Sequence, residues 1–83
     1  MNTKTFLELR ENYIKEKTLS DLDFSENKSY KNLITSELAL IDWIEKNLSS
    51  EKIKLLCQLS RKNHMLIKQM IKIILRLDPK TIN

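Results

Sequence analysis

A thiol and an imidazole are the side chains here that would pair a strong nucleophile with a base, and each occurs once, as Cys57 and His64. A thiol is activated by a base within hydrogen-bond reach, yet seven residues of one helix separate the two by about 10 Å of rise. A single Cys and a single His make neither a disulfide framework nor a zinc site. Cys57 therefore reads as a small buried hydrophobe, and His64 as a partly exposed surface residue. Asp42 and Glu45 lie on neighbouring helical turns, as an acid–base pair does. Lys46 follows Asp42 at i+4, however, and a solvated ion-pair face accounts for these charges. The 83 residues include no glycine, which removes phosphate-cradling loops and dinucleotide fingerprints. The expectation is a protein that is not an enzyme and uses no cofactor or metal.

Residues suited to binding are easier to find. On a helical wheel Glu37 falls inside an apolar arc, where a carboxylate costs several kcal/mol unless paired. A Lys or Arg of the last helix is its expected internal partner, and a cation on a second protein is the functional alternative. Trp43 lies outside that arc, beside Ala39 and Ser36, as a bulky aromatic that either anchors an interface or is covered by the first helix. Leu56, Asn63, Met70 and Leu77 repeat every seven residues, with Leu59, Leu66 and Ile73 as a second row three residues on. In one continuous helix these are a and d positions of a coiled-coil seam with Asn63 as its register-setting polar residue. The rival reading makes Asn63 a left-handed cap at a helix-turn-helix junction. On the same continuous wheel Lys54, Arg61, Lys68, Lys72 and Arg76 form a stripe uninterrupted by acids, suited to an anionic partner such as nucleic acid. The five aromatics all belong to the other half of the chain, so stacking on unpaired bases is poorly supported.

Three segments must position these residues. Thr5-Phe6-Leu7-Glu8 has the form of a capping box opening a helix over about 5–17, with Phe6, Leu9 and Tyr13 at helical spacing. Residues 18–27, rich in Ser, Asp and Asn, read as a linker that tucks Leu19, Leu22 and Phe24 onto the bundle. A second helix runs over about 28–47, its face built from Leu33, Ile34, Leu38, Ile41, Ile44 and neighbours. Ser49 or Ser50 caps the third segment, with Glu51 in its first turn, and that segment ends near Leu77, before Asp78-Pro79. The unbroken heptad phase favours one long helix over about 50–77. The fold class is all-α: a small three-helix bundle in a single domain, or four helices if the last segment breaks near Arg61–His64.

Charge divides the chain. Residues 1–51 carry 7 Lys/Arg and 10 Asp/Glu, whereas residues 52–83 carry 8 Lys/Arg and one acid, Asp78. The basic half suits an anionic partner, or it docks on the acidic half of its own chain. The longest apolar run, Leu38 to Ile41, is far too short to span a bilayer, and no leader is apparent, so a cytoplasmic protein is expected and a membrane partner is not. The leading functional expectation is a small phage- or plasmid-type regulator, adaptor or inhibitor that binds another protein and self-associates as a homodimer. The alternative is a dimeric nucleic-acid binder using the basic stripe.

Overall fold

With no glycine and a single proline, the chain meets few residues that oblige a helix to stop. A computed structural model describes residues 3–22 and 27–81. It shows an all-α bundle of four helices, α1 (Thr3–Leu22), α2 (Asn27–Asn47), α3 (Glu51–Ser60) and α4 (His64–Leu75), followed by one 3-10 turn at Pro79–Thr81. No strand occurs among the described residues.

The first helix is longer than its expected span of 5–17. Thr5 lies inside it and not at its start, and residues 18–22 of the expected linker continue it. Their polar side chains face water, where they support the helix. The Thr18 hydroxyl donates to the Ile14 carbonyl at 2.9 Å, and Lys17 pairs with Asp21 at 3.0 Å across one turn. Leu19 and Leu22 are exposed; Phe24 lies outside the described residues.

Apolar residues at spacings of three and four along α2, with Leu40 and Trp43 beside them, let it pack on more than one side. It packs against α1, α3 and α4, and Leu33, Leu40, Ile41 and Ile44 are buried in it. From α1 come Phe6 and Tyr13; from α3, Cys57; from α4, Ile67, Met70, Ile71 and Ile74. The molecule measures 40 × 27 × 17 Å, and the short dimension is less than two helix diameters. Helices on either side of α2 therefore keep one face in solvent.

The long final helix favoured by the heptad phase does not form. α3 stops at Ser60, with Arg61 as its C-cap, and the Lys62 amide donates to the Leu59 carbonyl at 3.1 Å. Asn63 is exposed and extended (φ −156°, ψ 162°). Its Oδ1 accepts from the Leu66 amide at 3.0 Å, so it caps the start of α4. It is thus neither a coiled-coil seam residue nor a left-handed C-cap. Asn at a helix start satisfies an amide that would otherwise lack a partner, and this local gain outweighs continuity through Arg61-Lys62. Asn63→Ala is expected to cost about 1 kcal/mol in urea unfolding, with Asn63→Asp close to wild type. An unbroken helix would give the opposite sign, because Ala is the better helix former.

Candidate functional site

The acidic half docks on the basic half through α2. Arg61, in the α3–α4 turn, reaches Asp42 Oδ1 and Glu45 Oε1, both at 2.5 Å, and Gln58 donates to Glu45 Oε2 at 3.3 Å. Asp42 and Glu45 are thus ion-paired as expected of a solvated face, with Arg61 of the last third of the chain as their partner. Deeper in the interface Glu37 is 1% exposed and meets Lys68 of α4 at 3.3 Å. Its other oxygen, Oε1, has no hydrogen-bond partner among the described residues. Burial pushes the Tyr13 phenol above its ordinary pKa, and the Glu37 carboxylate adds to that.

These contacts redistribute the residues singled out by the sequence. Trp43 is half-buried, its ring 5.4 Å from that of Phe6 and tilted by 36°, so α1 covers it. The single arc of Lys54, Arg61, Lys68, Lys72 and Arg76 assumed a continuous helix; the break at 61–63 divides it. Arg61 and Lys68 turn toward carboxylates of α2, while Lys72 and Arg76 are exposed and Lys54 is half-buried. Cys57 is fully buried, and burial, followed by the nearby Glu45 charge, pushes its thiol up, holding it in the unreactive protonated form. His64 instead faces Tyr30, with which it hydrogen-bonds across 5.4 Å between ring centres.

Between α3 and α4 lies an apolar groove of about 220 Å³, lined by Leu56, Leu59, Ser60, Leu66, Gln69, Met70 and Ile73. Its floor includes Met70 and its walls are the second heptad row, with Leu59 41%, Leu66 40% and Ile73 43% exposed. The Ser60 hydroxyl already donates to the Cys57 carbonyl at 2.7 Å, which leaves the lining apolar in character. Sequence periodicity found this row but assigned it to a seam. The break turns α4 so that Ile67, Met70, Ile71 and Ile74 are the ones buried, and the row is left at the surface. Among the described residues no group of three or more His, Cys, Asp or Glu is placed to hold a metal ion, and no helix is long and apolar enough to cross a membrane. No protein-family model, curated protein or solved structure matches the chain.

Proposed function

We propose that the protein is a small non-enzymatic regulator or adaptor that binds another protein through the groove between α3 and α4. The row Leu59, Leu66 and Ile73 carries this reading. Single exposed leucines are ordinary on protein surfaces, whereas apolar side chains that together line a concave surface mark contact sites. Burying them under a partner adds about 25 cal/mol for each Å² of apolar surface removed from water. Chemistry has less support, since Cys57 is buried and protonated and His64 is engaged by Tyr30. Nucleic-acid binding is the weaker reading, because Arg61 and Lys68 of the basic stripe already meet carboxylates.

A photo-crosslinking amino acid in place of Ile73, expressed in the cells the protein comes from, tests the reading. A discrete protein adduct is expected there and not from the same group at Lys46, exposed on α2. Equal adducts at both positions, or none at Ile73 in folded protein, count against the groove as a protein-binding site.

A further inference from the structure

Resting on that reading, we propose that the groove's occupant is an amphipathic helix flanked by acidic side chains and supplied by a different protein. The groove sets the backbone requirement. Its lining offers apolar walls and few polar groups, so a docked segment must satisfy its own amides and carbonyls. A helix does so and presents apolar anchors at i, i+3, i+4 and i+7.

Charge sets the flanks. From Lys52 to Leu77 every charged side chain is Lys or Arg. The cations turned toward α2 meet acids there: Arg61 meets Asp42 and Glu45, and Lys68 meets Glu37. Three other cations flank the groove-lining residues in sequence. Lys52 lies one turn before Leu56, Lys62 four residues before Leu66, and Arg76 one turn beyond Ile73. All three are exposed and have no ion-pair partner among the described residues. A complementary partner places carboxylates opposite them. A two-fold dimer through this groove does not meet this requirement: it applies the same patch to itself and sets cation against cation.

The test uses the full chain and two fluorescently labelled, hydrocarbon-stapled helical peptides with identical Leu anchors, one flanked by Glu and the other by Lys. In anisotropy titrations at low salt, the Glu-flanked peptide is expected to bind at least about tenfold more tightly, with the advantage shrinking as salt screens it. Leu66→Glu should abolish binding of this peptide, and Lys52→Glu/Arg76→Glu, which alters only exposed positions, should shift preference to the Lys-flanked one. Equal affinity for the two peptides, lost in Leu66→Glu, overturns the acidic assignment and leaves the docking reading standing. Failure of folded protein to bind either peptide overturns the inference, while the Ile73 crosslink judges the docking reading separately. A concentration-dependent dimer abolished by Leu66→Glu overturns it in favour of a second copy. Duplex DNA binding abolished by Lys52→Glu/Arg76→Glu but unaffected by Leu66→Glu overturns it in favour of nucleic acid.

Discussion

Phe6→Ala is expected to remove about 3–5 kcal/mol of stability, enough to leave a domain of this size largely unfolded. Phe6 is fully buried, and its ring joins α1 to α2 through Trp43. The Arg10 guanidinium lies over the Phe6 ring, 5.6 Å from its centre, a cation–π distance. Truncation opens a cavity that α1, packed mainly on α2 and the C-terminal 3-10 turn, has few other contacts to close. Trp43 is the sole tryptophan, so its emission reports α1 docking directly. Urea titrations followed by far-UV circular dichroism and by Trp43 fluorescence should both show the loss, with emission shifted to the red. Phe6→Leu, which refills most of the volume, should recover much of it. An unchanged emission spectrum, with a loss below about 1 kcal/mol, would show that Phe6 does not hold α1 in place.

Lys68→Ala ranks second, with an expected cost of about 2–3 kcal/mol. Removing one partner strands the other as an uncompensated buried charge, and Glu37 already lacks a partner at Oε1 among the described residues. The cost falls below the range of about 3–5 kcal/mol for breaking buried pairs because Lys68 is 44% exposed while Glu37 is 1% exposed. Glu37→Leu should be near neutral or stabilising, since an apolar side chain in that seam needs no partner. The double variant Glu37→Leu/Lys68→Ala should therefore be more stable than Lys68→Ala alone, and a double-mutant cycle measures the coupling. Strict additivity of the two changes would mean that lysine and carboxylate do not act on each other. Either way Glu37 sits beneath α4 and is reached by Lys68, which makes α2 the element that orients the outer helices and hence the groove.

Much of the local structure was legible from residue order. The span of α2 follows from its apolar spacing, and a cap at Ser49 or Ser50 follows from a serine pair ahead of an apolar run. The Ser50 hydroxyl does accept from the Ile53 amide, at 3.4 Å. The need of Glu37 for a cation from the last third of the chain was also legible, because a carboxylate in an apolar arc has few ways to be stable. Two polar stretches misled. Residues 18–22 look like a linker by composition, but Thr18 and Asp21 support the helix they were expected to end. Asn63 occupies an uninterrupted heptad phase, and phase alone does not distinguish a continuous rod from two helices joined by a short turn.

What the sequence determined by itself is the all-helical class, the opposition of an acidic half to a basic one, and the rows of apolar residues. These depend on propensity, charge and periodicity, which act over a few residues. The tertiary structure decided which row is buried. Once Asn63 starts a new helix, α4 turns Ile67, Met70, Ile71 and Ile74 inward, and Leu59, Leu66 and Ile73 are left lining an open groove. It also decided which cations are neutralised, because Arg61 and Lys68 find carboxylates only when α2 lies beside them. Both outcomes depend on how helices distant in sequence are rotated against one another, and a one-dimensional pattern carries no measure of that rotation.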